Sequence, residues 1–231
     1  IHFTASKDFN EYQKWFKVNH PDITTYNIVN FYKVHLMYQL AEEYDEILYL
    51  DMDVIPATTD NFFDVWDLSE GYAIMTGTAE AQRSVNELDT LRHTHHVRSP
   101  MAKHWNTKFM LSEMELPTDN IEVFNTGIVG INKQSLKQLA YFDGFKDTLD
   151  LMSLLAKDTF YPESFRSLFG YDNETVWGYK TVVNKVSFQK LGKRWHHFMD
   201  TWSYIPPGTK LIHWVSKDFD YVRKWCEKNN I

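Results

Sequence analysis

Asp51 and Asp53 leave the apolar run Glu46–Leu50 (EILYL) with a single residue between them. Two carboxylates so spaced at the end of an extended segment point roughly to the same side. Held within a few ångströms they repel each other, so a cation is expected between them. Hard oxygen ligands suit Mn²⁺ or Mg²⁺, and either ion can bridge two phosphates and offset the charge that builds on a departing diphosphate. Taken alone, Asp-Met-Asp reads first as a solvated turn or a helix cap after a strand, since such triplets are common by accident. Its setting is more specific: an apolar strand runs directly into it, and the helical stretch before that strand carries Tyr32-Lys33.

The surrounding pattern alternates helix and strand. Helical spacing is read over Lys7–Asn19, with Phe9, Tyr12, Trp15 and Phe16 on one face, and over Asn30–Tyr44, with Phe31, Val34, Met37, Tyr38 and Ala41 in register. Further helices are expected at Ser99–Met114, Ser135–Ala156, Asp172–Lys185 and Asp218–Asn229. Ile1–Ser6, Gly71–Thr76, Val186–Phe188 and Leu211–Trp214 read as strands. Glu122–Ile131 reads as strand, turn, strand, with Gly127 and Gly130 as the flexible points. Such alternation predicts an α/β sandwich with a parallel or mixed sheet, in which ligands bind beyond the carboxyl ends of strands. Asp51 and Asp53 fall at such an end.

The stretch from Asn30 to Pro56 (NFYKVHLMYQLAEEYDEILYLDMDVIP) resembles the signature of GT-A glycosyltransferases, most closely family 8, the glycogenin and galactosyltransferase type. The resemblance implies a GT-A fold, with a mixed central sheet flanked by helices, as a single domain over residues 1–231. It implies transfer of a sugar from a nucleoside-diphosphate sugar (UDP- or GDP-linked) to a hydroxyl of a glycan or glycoprotein acceptor, with retention of configuration and with Mn²⁺ or Mg²⁺ as cofactor. Asp51 and Asp53 then hold the metal and the diphosphate. Lys33 lies near the donor sugar or phosphates, or is simply a helix lysine.

Further segments match the same family. Phe124-Asn125-Thr126-Gly127 resembles its turn lining the donor-sugar and acceptor pocket. Leu211-Ile212-His213-Trp214 resembles its strand bearing a metal-binding His, so His213 is the candidate third ligand, against the alternative of a core histidine. Lys217 is the candidate for neutralising the diphosphate; the family spaces this lysine further from the His and adds a glycine, and this chain has neither. Asp172-Asn173-Glu174 occupies the place of an acidic segment near the sugar's reactive carbon. Either Asp172-Asn173 or Asn173-Glu174 is the equivalent pair, and the same residues suit a helix cap. Only about 50 residues precede Asp51, fewer than the family pattern has. The first nucleotide-binding strand is therefore expected to be missing, or Ile1–Ser6 to be a later strand.

Composition narrows the field. Lys plus Arg number 24 against 31 Asp plus Glu, a net charge of −7 with no basic block, which argues against nucleic-acid binding. One cysteine, Cys226, excludes an intrachain disulfide and favours a reducing, cytoplasmic or cytoplasm-facing setting. A Golgi-type lumen stays open if the chain is a piece of a longer one. No stretch reaches the roughly 18 apolar residues of a membrane span. His93, His95 and His96 lie too close together, without a Cys partner, for a zinc site. Trp195, His196, His197, Trp202 and Tyr204 suit either sugar stacking or core packing. A sugar nucleotidyltransferase shares metal-binding aspartates but opens with a Gly-rich basic loop that this chain lacks. A non-catalytic carbohydrate-binding module would bind sugar without metal.

Overall fold

The computed structural model describes residues 7–77, 95–159, 166, 169–199, 205–215 and 219–229. The expected strand Ile1–Ser6, Lys217, Trp202, Tyr204 and most of the polar segment Ala79–Pro100 lie outside the described residues.

Helix α1 (Lys7–Asn19) packs its aromatic face on α2 (Thr25–Leu40). Phe16 stacks on Phe31 with ring centroids 5.6 Å apart, and Phe9 meets Tyr32 edge-on at 5.0 Å. α2 begins before the apolar spacing that starts at Asn30, because the Thr24 hydroxyl accepts from the Asn27 N–H at 3.1 Å and caps it. The chain continues through β1 (Glu46–Leu50), β2 (Val54–Pro56), β3 (Tyr72–Thr76), α3 (His95–Glu113), β4 (Phe124–Asn132), α4 (Lys133–Leu139) and α5 (Phe145–Lys157). It ends with α6 (Asn173–Val183), β5 (Phe188–Lys190), β6 (His197–Phe198), β7 (Leu211–His213) and α7 (Phe219–Asn229).

Two mixed sheets form. The larger has the order β1-β4-β3-β5, with β4 antiparallel to both its neighbours and β5 parallel to β3. The smaller has the order β2-β7-β6. Strand alternation gives the larger sheet two apolar faces. Tyr72, Ile74, Val129 and Ile131 face Phe31, Val34 and Met37 of α2 and Val176 and Trp177 of α6. Ala73 and Ile128 face the other way, toward Val54, Phe62, Leu68, Trp195 and Leu211. The larger sheet is thus a middle layer between helices and the smaller sheet.

Two sequence expectations fail for identifiable reasons. Glu122–Ile131 is not a hairpin: Phe124–Asn132 is one unbroken strand. Its glycines make room instead of turning. A Cβ on Gly127 would lie 2.3 Å from the His213 ring, and one on Gly130 would lie 2.4 Å from Phe62. Ser135–Ala156 is two helices, because Ala140 and Gly144 adopt left-handed backbone angles (φ 44° and 57°) between α4 and α5. Tyr38 of α2 pins that break: its hydroxyl donates to the Leu136 carbonyl at 2.7 Å and accepts from the Tyr141 N–H at 2.9 Å. Burial pushes the Tyr38 phenol up to about 12. Tyr38→Phe strips both bonds from a part-buried backbone and should lower the urea unfolding free energy by about 1–3 kcal/mol, with the slope of the transition unchanged.

Candidate metal and donor site

The Asp-Met-Asp segment is the joint between the two sheets. On one side the Asp51 N–H donates to the Gly127 carbonyl at 2.8 Å, extending the β1–β4 ladder. On the other the Trp214 N–H donates to the Asp53 carbonyl at 2.7 Å, and Val54 pairs with His213 in the β2–β7 register. The Val54 N–H closes the turn onto the Asp51 carbonyl at 3.0 Å. Met52 is pushed into solvent, 89% exposed, while Asp53 and His213 are 7% and 5% exposed. One ligand atom from each of Asp51, Asp53 and His213 lies within 4.8 Å of the others, the one such group among the described residues. The His213 Nε2 faces an Asp53 carboxylate oxygen at 3.3 Å.

Lys33 sits beside this cluster. Buried on α2, its ammonium donates to both Asp51 oxygens (3.1 and 3.4 Å) and to the Thr126 carbonyl (3.2 Å). The Tyr49 hydroxyl donates to Asp51 Oδ1 at 2.7 Å, and burial together with the Asp51 charge raises the Tyr49 phenol. The two aspartates carry two negative charges against the one positive charge of Lys33. Burial pushes the imidazole of His213 below its ordinary value, with Asp53 opposing, so the ring offers a neutral nitrogen.

This donor set fits Mn²⁺ or Mg²⁺. Ligands bound at about 2.1 Å in an octahedron lie about 3.0–4.2 Å apart, close to the spacing found here. Two carboxylate oxygens and one imidazole nitrogen would leave positions on such an ion for phosphate or water.

Thr126 joins this end of the site to α6. In the β3–β4 pairing, Ile74 opposes Val129 while Met75 opposes Asn125, so Thr126, Gly127 and Ile128 have no β3 partner. The freed Thr126 N–H donates to Glu174 Oε1 at 2.7 Å and its hydroxyl to the same oxygen at 3.2 Å. The Asn173 amide donates to the Thr126 hydroxyl at 2.9 Å. Glu174 Oε2 accepts from Lys103 of α3. Burial raises the Glu174 carboxyl, but Lys103 and Lys33 outweigh it and hold the group ionised below the usual range. Burial likewise opposes the charge on Lys103, and Glu174 and Asp172 overcome it, leaving the ammonium raised. Asp172, near enough to interact with Lys103 and Glu174, caps α6 by accepting from the Thr175 N–H at 2.8 Å and hydroxyl at 2.7 Å, and burial raises its carboxyl.

The structure therefore brings Lys33, Asp51, Asp53, Thr126, Gly127, Asn173, Glu174 and His213 into one continuous group. The Asn125 side-chain oxygen accepts from the Gly127 N–H at 3.0 Å, which engages it within its own strand. Three participants escaped the sequence reading: Tyr49, Lys103 and His196. Tyr49 was readable from its alternation with Asp51 along β1. His196, grouped with aromatics, lies against His213, whereas Trp195 packs on Phe62 at 5.4 Å in the smaller core. Nothing in the pattern around Lys103 pointed to Glu174, 71 residues later.

Comparison with known proteins gives first the class: the chain is a glycosyltransferase with an α/β fold of the GT-A type. The model for glycosyl transferase family 8 matches residues 1–166, most of the chain, and the protein belongs to that family. Glu174 and His213 lie beyond the matched span and join the site through folding. Among solved structures, mouse xyloside xylosyltransferase 1 in its apo form is similar at a TM-score of 0.45 and 14% identity, over 89% of this chain and 71% of that one. No curated protein sequence matches. Family membership favours transfer over the nucleotidyltransferase and carbohydrate-module alternatives. No helix among the described residues is long and apolar enough to cross a membrane.

Gly127→Ala gives this geometry a direct test. The strand backbone accepts alanine, but its methyl group would sit 2.3 Å from the His213 ring and must displace it. Mn²⁺ titration of the folded variant should show affinity at least about tenfold weaker than wild type, with overpacking costing about 1–3 kcal/mol of stability.

Proposed function

We propose that this protein, as one domain over residues 1–231, transfers a sugar from a nucleoside-diphosphate sugar to a hydroxyl of a glycan or glycoprotein acceptor. The observation that carries the reading is the convergence of Asp51, Asp53 and His213 at the joint of the two sheets, in a chain of family 8. Asp51 and Asp53 hold Mn²⁺ (or Mg²⁺) with His213 as third ligand. When bound, the ion offsets charge on the departing diphosphate.

The chain's own groups do the rest. Lys33, already between Asp51 and Thr126, supplies a buried positive charge beside the phosphates. Asn125, Thr126 and Gly127 line the donor sugar, with Lys217 a further candidate for the diphosphate. Asn173 and Glu174 face the sugar's reactive carbon. Both Glu174 oxygens are held by Thr126 and Lys103, so the carboxylate acts by its fixed charge, stabilising positive charge that develops on the sugar. Asp172 serves that pair by capping α6. Family membership favours retention of configuration, and the donor base is uracil or guanine.

A thermal-shift screen with UDP and GDP, each with and without Mn²⁺, tests the reading. One nucleotide should stabilise the protein only when the ion is present, by about 2.7 kcal/mol at a hundredfold excess over Kd. Asp53→Ala should abolish that shift and the metal-dependent turnover of the matching sugar nucleotide. Metal-dependent nucleotide binding that survives the substitution would place the site elsewhere.

A further inference from the structure

The site contains a second histidine that touches no phosphate-facing group. His196 is completely buried, just ahead of β6, and its Nε2 lies 2.9 Å from the Nδ1 of His213. Its other nitrogen, Nδ1, has no hydrogen-bond partner. A buried imidazole with one ring nitrogen unsatisfied costs free energy that an apolar residue of similar shape would avoid. Its whole polar contribution goes to His213. Phe198 packs against both rings: its centroid lies 4.7 Å from that of His196 and 5.2 Å from that of His213, with the planes inclined by 31° and 29°. Gly127 leaves the space the His213 ring fills.

An imidazole can present a lone pair at Nε2 only if its proton, when the ring is neutral, resides on Nδ1. His213 points Nε2 at Asp53 and Nδ1 at His196. We infer that His196 is a positioning residue for the cation site: its Nε2 accepts the Nδ1–H of His213, fixing the tautomer and ring plane that turn the His213 Nε2 lone pair toward Asp51 and Asp53. The inference rests on the cation site proposed above and adds to it a group that never touches the ion. In this arrangement the unpartnered His196 Nδ1 carries that ring's own proton, a cost that the bond to His213 must offset. Outer partners of this kind typically contribute tenfold to a hundredfold in metal affinity.

Mn²⁺ alone, titrated into the protein and followed by the electron-spin signal of the free ion, reads this out without activity. His196→Phe keeps the ring and removes the acceptor; its Mn²⁺ affinity should fall at least about tenfold, with metal-free unfolding still cooperative. His196→Gln, whose amide oxygen can accept the same bond, should restore most of the affinity. Wild-type protein labelled with ¹⁵N-histidine and loaded with Zn²⁺, a diamagnetic probe, needs no variant. It should show His213 protonated at Nδ1 and His196 unprotonated at Nε2. Affinity unchanged in His196→Phe, or a His196 Nε2 that bears the proton, overturns the role of His196 and leaves the cation site standing. Wild-type protein that fails to bind Mn²⁺ overturns the cation site and this inference with it.

Discussion

Like charges about 4 Å apart repel by about 4 kcal/mol at an effective dielectric constant of 20, the value appropriate near a protein surface. Asp51 and Asp53 are placed in that situation by the fold itself. The turn between them belongs to two sheets at once, bonded to Gly127 on one side and to Trp214 on the other. The backbone that carries both carboxylates cannot shift without breaking a ladder. The consequences radiate from there: Lys33 is buried to face Asp51, Tyr49 donates to it, and His213 is brought beside Asp53 by the pairing of Val54 in β2 with its own strand. One lysine leaves that balance short by one charge, which a divalent ion held there would supply.

The second organising feature is the break in the β3–β4 ladder. Three residues of β4 lose their β3 partners, and their polar groups are taken up elsewhere. The Thr126 carbonyl accepts from Lys33 while its N–H and hydroxyl reach Glu174. One residue therefore couples the acidic pair on the sheet joint to the start of α6, and Lys103 secures that helix start from α3. Ion pairs this buried are sensitive to the loss of either member, because the survivor is left as an uncompensated charge.

Much of this was legible in the chain. The strand running into Asp51, the helix carrying Lys33 and the capping role open to Asp172 follow from local pattern and turn chemistry. The helix α1 follows from aromatic spacing, and Pro21 marks where it must stop. What sequence could not give is pairing at a distance. Gly127 read as a turn because glycine most often marks one, yet here it stays extended and yields its side-chain space to His213, 86 positions later. Lys103 and His196 were invisible for the same reason: each matters through a single long-range contact, and nothing in its neighbours announces the partner. The α4–α5 break was missed because Ala140, a strong helix former, is held left-handed where the turn is tied to Tyr38.

The claim on which everything else depends is that two carboxylates and one histidine share a divalent ion. Pulsed electron-spin-echo spectroscopy of the Mn²⁺-loaded protein examines it at the atoms concerned. The account expects modulation from one directly coordinated imidazole nitrogen, absent from His213→Gln while that variant remains folded. Bound Mn²⁺ with no nitrogen coupling, or a coupling that persists in the variant, would contradict it.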